Sequence, residues 1–247
     1  MKQLTIVKIG GNVIDNNDAL KTFLDEFKLI EGIKILVHGG GKIATRTAQT
    51  MGIEATMIDG RRVTDIDMLK VVTMVYGGLV NKNIVATLQN IGVNAIGLTG
   101  ADGAIITSKK RNPKPIDYGY VGDPITVNIE TAKTLLNAAL VPIIAPLTHA
   151  DGEILNTNAD TIAQTLATAL SGHYSVNLCY KFEKSGVLLD VDDETTLIKH
   201  ITPSIFQDLK SKGAVHSGMI PKIENALSAA ANGVDAIFIG QTKITQD

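Results

Sequence analysis

Short apolar runs alternate along the chain with stretches in which apolar residues recur every three or four positions. Runs of this kind are typical of buried strands, and the longer repeat is typical of amphipathic helices. The predicted strands are Leu4–Ile9, Ile33–Val37, Asn94–Leu98, Leu140–Pro146, Ser175–Cys179 and Val234–Ile239. The predicted helices are Ile43–Met51, Met68–Ile91, Ile129–Leu140, Thr161–Leu170, Ser204–Lys212 and Pro221–Asn232. Strand and helix in alternation predict an α/β fold whose parallel sheet is covered on both faces.

Three segments interrupt this alternation. The Asp151–Gly152 pair in HADGE predicts a hairpin turn, and the stretch from Pro113 to Pro124 is non-helical. LSGH, ending at His173, closes a helix before the strand YSVNLC. We therefore predict two lobes on one continuous sheet, residues 1–172 and 173–247.

Composition narrows the class of ligand. The chain has 247 residues, 45% of them hydrophobic, and 23 basic against 25 acidic residues give a net charge of −2. This balance gives no electrostatic reason to expect nucleic acid or an anionic membrane as a partner. No uninterrupted apolar run approaches the eighteen or so residues of a membrane-spanning helix. A small-molecule ligand is expected.

Cysteine content and the start of the chain predict the compartment. Cys179 is the single cysteine, which excludes an intramolecular disulfide and a cysteine-based zinc site. The sequence enters a strand at once, which leaves no room for a signal peptide. We expect a cytoplasmic protein.

Glycines follow the first two predicted strands. Gly10–Gly11 and Gly39–Gly41 could simply form tight turns, but glycine also lets backbone N–H groups approach a phosphate or carboxylate. Both turns are expected at the carboxyl edge of the parallel sheet, where ligands bind in open α/β folds. Neither is a Walker loop or a GxGxxG motif, so nucleotide binding is neither indicated nor excluded.

Several charged residues stand in unusual places. Lys8 interrupts an otherwise buried strand and calls for an anionic partner, which Asp160 could provide. Asp160 or Asn158 could equally cap the helix that follows. Lys222, in the first turn of a predicted helix, opposes the helix dipole unless an anion lies there, and is otherwise a surface lysine.

Arginine and histidine add little by position alone. In GRRVTD one of the adjacent arginines, Arg61 or Arg62, could bind a carboxylate, or both could lie on the surface. The histidines show no metal-binding spacing, so we assign no metal site, and His38 is interpreted as a hydrogen-bonding residue of the glycine turn.

Taken together, the motifs resemble the acetylglutamate kinases of the amino-acid kinase superfamily. The resemblance covers nearly the whole chain, in order and spacing. It implies a three-layer αβα sandwich with a mainly parallel open central sheet, an N-terminal lobe for acyl-glutamate binding and dimerisation, and a C-terminal lobe for ATP. The matching segments, by first residue, are KIGGN at Lys8, VHGGGK at Val37, GRRVTD at Gly60, GLTGADG at Gly97, GYVGD at Gly119, NTNAD at Asn156 and SGMIPKIENA at Ser217.

The resemblance also implies roles for individual residues. Lys8 and Lys222 resemble the lysines that stabilise the transferring phosphoryl group, and Asp160 the aspartate that orients both. By the same resemblance, Gly10 and Gly11 are expected to contact the phosphoryl group, Gly40 and Gly41 the substrate, and Arg62 and Asn156 the α-carboxylate of the substrate. The residues expected to contact ATP are Glu183, Lys184, Ser185, Gly186, Val187, Leu188, Ala214, Val215 and His216. Mg²⁺ would be bound mainly through the nucleotide.

Two departures from the family pattern stand out. Relatives commonly carry an LTDVxGVL-like stretch at the nucleotide site, whereas this chain reads LCYKFEKSGVLLD from Leu178. Arginine-inhibited relatives have an added N-terminal helix that links dimers into hexamers, and Lys8 lies too near Met1 for such a helix. An arginine-insensitive homodimer is expected.

The predicted function is ATP-dependent phosphorylation of the side-chain carboxylate of N-acetyl-L-glutamate, the second step of arginine biosynthesis. One alternative is the same reaction on another N-acyl-glutamate such as N-succinyl-L-glutamate. The other is a non-catalytic amino-acid sensor on the same fold, suggested by the altered LCYKFEKSG segment. A Rossmann dehydrogenase is disfavoured by the missing GxGxxG motif.

Overall fold

The structure, a computed structural model, describes residues 1–58, 60–215 and 219–247, apart from the side chain of Pro221. The strands are β1 (Gln3–Ile9), β2 (Ile33–His38), β3 (Met57–Ile58), β4 (Arg61–Arg62), β5 (Ala95–Leu98), β6 (Ile106–Lys110), β7 (Gly122–Val127), β8 (Val141–Ile144), β9 (Leu147–Ala150), β10 (Glu153–Asn156), β11 (Ser175–Lys181), β12 (His200–Ile201), β13 (Ala236–Ile239) and β14 (Thr242–Ile244). The helices are α1 (Gly11–Asp15), α2 (Asn17–Lys28), α3 (Gly41–Thr50), α4 (Ile66–Val72), α5 (Asn81–Asn90), α6 (Ile129–Asn137), α7 (Ala159–Leu170), α8 (Pro203–Ser211) and α9 (Ile220–Ala231).

The central sheet is open and mainly parallel, as predicted. Across the described residues its strand order is β12-β14-β13-β11-β1-β2-β8-β5. Neighbouring strands are parallel except β13 and β14, which are antiparallel. One core cluster contains residues of α6, α7, α8 and α9, and another contains residues of α1 to α5. Since strand residues belong to both clusters, the helices cover both faces of the sheet and the fold is the predicted three-layer sandwich.

Strand β1 determines which face Lys8 occupies. Leu4 and Ile6 belong to the cluster with α7 and α9, whereas Val7 and Ile9 belong to the cluster with α2 and α3. Successive side chains of a strand point to opposite faces, so Lys8 shares the face of Leu4 and Ile6. The strand therefore directs Lys8 towards α7 and α9.

The sheet order relates to the predicted lobes. Strands β1, β2, β5 and β8 form one half of the sheet and come from residues before 172, and β11 to β14 form the other half and come from residues after 173. The two halves meet where β1 pairs with β11. Helix α7 comes from the first half of the chain and packs in the same cluster as β11 and α9. The division into lobes at 172 stays a prediction.

The DG turn predicted in HADGE is confirmed. Strands β9 and β10 form an antiparallel hairpin in which Ala150 pairs with Glu153. Asp151 and Gly152 form its two-residue loop with φ values of 49° and 82°, the left-handed conformation that such tight hairpin turns require. The hairpin belongs to a smaller sheet of order β10-β9-β6-β7 in the described chain, which the apolar pattern did not predict.

Helical residues from Ile66 to Asn90 run without a break through α4, a π-helical segment at Thr73–Val80, and α5. By length and composition alone this segment could cross a membrane, but 44% of its most apolar window is buried inside the fold. Its buried residues include Met68, Val75 and Leu88, which pack in the core with α2 and α3. This is the packing expected of a core helix, and the predicted bounds of 68–91 were close.

The end of one helix and the presence of another differ from the sequence pattern. Helix α6 ends at Asn137 rather than Leu140, because Ala139 adopts a positive φ of 56° as the chain turns towards β8. Helix α2 was not predicted. Its C-terminus is held by the buried Lys34 of β2, whose Nζ donates to the carbonyls of Phe27, Lys28 and Ile30 at 2.8–2.9 Å.

Candidate active site

Three charged side chains from distant parts of the chain meet at the carboxyl edge of the sheet. Lys8 Nζ lies 2.7 Å from Asp160 Oδ1, and Lys222 Nζ lies 3.0 Å from Asp160 Oδ2. The three side chains are 10%, 17% and 16% exposed in the order Lys8, Asp160, Lys222. The carboxylate thus bridges two largely buried ammonium groups. We call these three residues the charged triad.

Local structure explains how each member is placed. Lys8 is the penultimate residue of β1, and Asp160 and Lys222 stand in the first turns of α7 and α9. Asn158 is the N-cap of α7, since its side chain accepts hydrogen bonds from the backbone N–H groups of Asp160 and Thr161 at 2.8 and 3.1 Å. Of the two capping candidates, Asn158 therefore caps the helix and leaves the Asp160 carboxylate for the lysines.

The triad shifts the titration of its own members. Burial would raise the pKa of Asp160, but the charges and hydrogen bonds of Lys8 and Lys222 outweigh it and lower that pKa from 3.8 to about 2. Burial lowers the pKa of Lys222, and the Asp160 carboxylate opposes this effect. Asp160 is therefore ionised at neutral pH. Two ammonium groups around one carboxylate leave the triad with a net positive charge, which can stabilise a phosphoryl anion.

The glycine turns lie beside the triad. The Gly10 N–H donates to the Lys181 carbonyl at 3.1 Å, and Gly11 is the first residue of α1. Gly40 precedes α3 with φ 143°, a conformation that L side chains rarely adopt, and a Cβ there would lie 3.1 Å from the ring of Tyr76. Gly11, Gly40 and Gly41 all line one open groove of about 610 Å³. We call it the glycine groove.

His38 is a hydrogen-bonding residue of the second glycine turn, as the sequence predicted. It is fully buried, and its Nε2 lies 3.0 Å from the amide nitrogen of Asn81, which can only donate. Nδ1 consequently carries the proton and donates to the Gly39 carbonyl at 2.7 Å. Burial lowers the pKa of His38 to about 4, so the ring is neutral at pH 7.

Arg62 and Asn156 line a second cavity, of about 190 Å³, together with Gly40 and Gly41. Both side chains are buried, at 8% and 9% exposure. Arg62 Nη2 donates to the Gly41 carbonyl at 2.9 Å, and Asn156 Nδ2 donates to Thr64 Oγ1 at 2.9 Å. A buried arginine and an amide in one small cavity can bind a carboxylate. We call it the arginine cavity.

Other residues of the arginine cavity were missed by the sequence analysis. Tyr76, Arg111 and Thr157 also line it. Arg111 is held by Asp123, to which its Nε donates at 3.1 Å, and its guanidinium lies 5.5 Å from the centre of the Tyr118 ring. Thr157 lies in the NTNAD motif and could have been found from the sequence. Arg111 lies in no such motif, and it reaches the cavity only because the small sheet folds beside it.

A third cavity, of about 590 Å³, lies in the C-terminal half of the chain. We call it the C-terminal cleft. Of the residues predicted to contact ATP, it is lined by Glu183, Lys184, Gly186, Val187, Leu188, Ala214 and Val215. Ser185 is not among the lining residues, and its carbonyl accepts the Gln241 N–H at 2.6 Å. His216, Ser217 and Gly218 lie outside the described residues.

Glu183 borders both the C-terminal cleft and the glycine groove. Its carboxylate accepts a hydrogen bond from the side-chain amide of Asn12, and the oxygen of that amide accepts one from Lys42. A ligand that extends from the cleft to the glycine turns would therefore pass beside Glu183. A nucleoside triphosphate bound in the cleft would need this path to bring its phosphates to the glycine turns.

The described residues contain no cluster of three or more His, Cys, Asp and Glu side chains that could hold a metal ion. Magnesium usually keeps several waters and binds through one or two carboxylates and the phosphates of its substrate. The residues present fit a cation carried by a nucleotide, with Glu183 as the carboxylate that borders both cavities.

Comparison with known proteins agrees with the fold and identifies the family. The sequence profile of the amino acid kinase family matches residues 3–241. The chain is 52% identical over 245 residues to the acetylglutamate kinase of Cytophaga hutchinsonii, covering 98% of this chain and 93% of that protein. It is 53% identical over 239 residues to the acetylglutamate kinase of Phocaeicola vulgatus, covering 96% and 93%.

Solved structures show the same fold. The crystal structure of smu.665 from Streptococcus mutans superposes with a TM-score of 0.81 at 29% identity, covering 99% of both chains. N-acetylglutamate synthase from Neisseria gonorrhoeae superposes with a TM-score of 0.82 at 21% identity, covering 99% of this chain and 59% of that one.

Proposed function

The chain belongs to the amino acid kinase family, and we propose that it is an enzyme that transfers the γ-phosphoryl group of ATP to the side-chain carboxylate of N-acetyl-L-glutamate. The products are N-acetyl-L-glutamyl 5-phosphate and ADP, and the reaction is the second step of arginine biosynthesis. The observation that carries this proposal is the charged triad, in which two largely buried ammonium groups flank the Asp160 carboxylate at the carboxyl edge of the sheet. Relatives about half identical over nearly their whole length bear the name of this activity.

The proposed reaction needs positioning and charge more than covalent catalysis. The acceptor is a carboxylate, which is already ionised at neutral pH and needs no general base. Charge spreads over the transferring phosphoryl group in the transition state, where positive groups stabilise it. Lys8 and Lys222 supply this charge, and Asp160, 2.7 and 3.0 Å from their nitrogens, fixes both ammonium groups.

The glycine turns and the arginine cavity hold the remaining parts of the substrates. Arg62 and Asn156 bind the α-carboxylate of the acyl-glutamate. The backbone of Gly40 and Gly41 faces the substrate from the start of α3, where the helix dipole favours an anion. The Gly10 N–H is already bonded to Lys181, so the contact to the phosphoryl group falls to Gly11 at the start of α1.

ATP occupies the C-terminal cleft in this proposal, with its phosphates directed past Glu183 to the glycine groove. Bound Mg²⁺ would be held chiefly by phosphate oxygens and would neutralise part of their charge. The lining of the cleft includes Lys184, Gly186 and Val187. A cytoplasmic location remains a proposal, supported by the absence of any cysteine other than Cys179.

A second acyl group is compatible with the cavity. Arg61 and Arg111 line the arginine cavity besides Arg62. N-succinyl-L-glutamate carries one carboxylate more than N-acetyl-L-glutamate, which an additional arginine could bind. The non-catalytic sensor is disfavoured because a sensor has no need for two lysines on one aspartate, an arrangement that costs desolvation of all three charges.

A substrate panel tests the proposed function. ADP release is expected with N-acetyl-L-glutamate and ATP–Mg²⁺, and not with free L-glutamate, whose α-ammonium would enter a cavity lined by arginines. The measurement is a coupled ADP assay with acetyl-, succinyl- and unmodified glutamate. Turnover faster with the succinyl compound would identify the second candidate, and no turnover with either acyl compound would contradict both.

The homodimer is likewise a proposal. Ile66, Met74 and Leu79 lie on the helical segment 66–90 and are 50–52% exposed although they are large and apolar. A face of this kind on a core helix suits a second copy of the chain. We propose that this face forms the dimer interface and that arginine does not inhibit the enzyme.

Sedimentation should detect the dimer and its loss. The wild-type protein is expected at twice the 26.2 kDa chain mass, and Met74→Glu at the monomer mass, because a buried unpaired carboxylate opposes association. Met51→Glu is the matched control, since Met51 is 52% exposed and lies at the end of α3. A hexamer, a dimer in Met74→Glu, or inhibition by millimolar arginine would contradict the proposal.

A further inference from the structure

Two aromatic rings adjoin the ammonium group of Lys222. Its Nζ lies 5.5 Å from the centre of the Tyr180 ring and 6.0 Å from the centre of the Phe182 ring. A cation within about 6 Å of a ring centre is attracted by the negative face of the ring. Lys222 therefore has two kinds of partner, the Asp160 carboxylate and a pair of aromatic rings.

The fold fixes the Tyr180 ring in this place. Tyr180 is paired with Lys8 in the register of β1 and β11, so the two side chains project from the same face of the sheet. The Tyr180 side chain is 1% exposed. Its hydroxyl makes no hydrogen bond within the part of the chain that the structure describes, so the ring is the part of the side chain that meets the ammonium group.

An aromatic ring can stabilise the largely buried ammonium group of Lys222 without occupying its N–H donors. Burial disfavours the charged form of a lysine, and a partner is needed to keep it protonated. A carbonyl or a second carboxylate would do so by accepting another N–H of the ammonium group. A ring attracts the cation without accepting a conventional hydrogen bond, which leaves N–H donors for Asp160 and for a phosphoryl oxygen.

We propose that Tyr180, assisted by Phe182, is a positioning residue that keeps the Lys222 ammonium group charged and directed at Asp160. The inference rests on the proposed kinase function and deepens it. Both rings stand in the LCYKFEKSGVLLD segment, where the sequence departs from the LTDVxGVL-like stretch of its relatives. In this chain the segment thus supplies two rings that contact a lysine of the charged triad.

Other charged groups near Lys222 also affect its pKa. Asp160 on α7 and Glu183 after β11 raise the pKa of Lys222, and Lys8 on β1 lowers it, while burial lowers it most. None of these groups is altered by a change at Tyr180. Loss of the ring would also lessen the burial of Lys222, which raises its pKa, so a shift to lower pH can be assigned to the lost attraction of the ring.

The test compares the pH dependence of kcat in Tyr180→Leu and Tyr180→Phe. Leucine keeps the site apolar but removes the ring face. The basic limb of the kcat profile is then expected to move to lower pH by about one unit, so that kcat is roughly tenfold lower at pH values above the limb and changes little at neutral pH. The KM for the acyl-glutamate is expected to change less than about threefold, because Tyr180 lines neither the arginine cavity nor the glycine groove. Phenylalanine keeps the ring and should restore the wild-type profile.

Tyr174→Leu is the matched control. Tyr174 is 7% exposed, belongs to the same core cluster and precedes β11, at the opposite end of the strand from the triad. Its replacement should leave the kcat profile in place. If Tyr180→Leu does not fold, Phe182→Leu is expected to shift the basic limb in the same direction by a smaller amount.

Two results would overturn the inference. One is a wild-type pH profile in Tyr180→Leu, or in Phe182→Leu where that variant replaces it. The other is an equal shift in Tyr180→Phe, which would assign the effect to the hydroxyl instead of the ring. Failure of the wild-type protein to phosphorylate either acyl-glutamate would contradict the proposed function instead, so the two failures are distinguishable.

Discussion

Lys8→Ala and Lys222→Ala are each expected to lower kcat by about 10²- to 10³-fold, the loss typical of removing one group that stabilises charge in the transition state. Each variant removes one of the two cations held by Asp160. Since these cations act on the transferring phosphoryl group and not on the α-carboxylate, the KM for the acyl-glutamate should change less than about threefold. Steady-state kinetics of ADP release measures both quantities.

The double variant gives a sharper test of the shared role. Lys8 and Lys222 contact the same carboxylate, so their effects on kcat should not add, and the double variant should lose less than the product of the single losses. Lys133→Ala is the control, because Lys133 pairs only with Glu130 within the described residues and that pair lies on the surface. Wild-type turnover in either single variant would remove that lysine from the proposed mechanism.

Asp160→Asn is expected to lower the free energy of unfolding by about 3 kcal/mol at pH 7, because it leaves two largely buried ammonium groups without their carboxylate. The side chains concerned are 10–17% exposed, so solvent screens them little. The same change should lower kcat, since neither lysine would be held in place. Asp67→Asn is the control, as Asp67 pairs with Lys70 at an exposed position.

The effect of pH on stability follows from the same carboxylate. The pKa of Asp160 is lowered from 3.8 to about 2 in the folded protein. A depressed pKa stabilises the fold at pH values above the unfolded pKa, and that stability is lost as pH falls through the folded pKa. Between pH 5 and pH 2 the wild-type protein should lose about 2 kcal/mol more than Asp160→Asn.

Urea unfolding at several pH values between 5 and 2 measures this difference. Equal losses in the wild-type protein and Asp160→Asn would show that Asp160 is not held ionised by the two lysines. A loss at higher pH, between 5 and 7, would point to another group, because Asp160 does not titrate in that range. His38 is such a group: burial lowers its pKa from 6.5 to about 4, so as pH falls from 7 the unfolded chain binds a proton that the folded protein does not, equally in the wild-type protein and in Asp160→Asn.

Local patterns in the sequence were sufficient for much of the fold. Asp151–Gly152 predicted its hairpin because the turn depends on the φ angles of two adjacent residues. The apolar run at Leu4–Ile9 predicted a buried strand, because a strand that is covered on both faces needs apolar side chains at successive positions. By contrast, the antiparallel sheet of β6, β7, β9 and β10 depends on pairing between distant segments, and its short strands have no distinctive apolar pattern.

The candidate site was predictable in part. The lone lysine in a buried strand required an anionic partner, and Asp160 was a correct choice among several acidic residues. Asn158, not Asp160, proved to be the cap of α7, which local spacing alone left open. Arg111 could not be found, because it reaches the arginine cavity only through the folding of the small sheet.

The sequence by itself determined the alternation of strands and helices and the two glycine turns. It also determined that a buried strand and a helix start each carry a lysine that needs an anionic partner. These features depend on neighbouring residues, whose spacing along the chain is fixed by covalent geometry. Only the tertiary structure decided that Lys8, Asp160 and Lys222 meet, and that the Tyr180 ring lies beside Lys222. Such contacts join residues far apart in the chain, and their distances follow from sheet order and helix packing rather than from any local pattern.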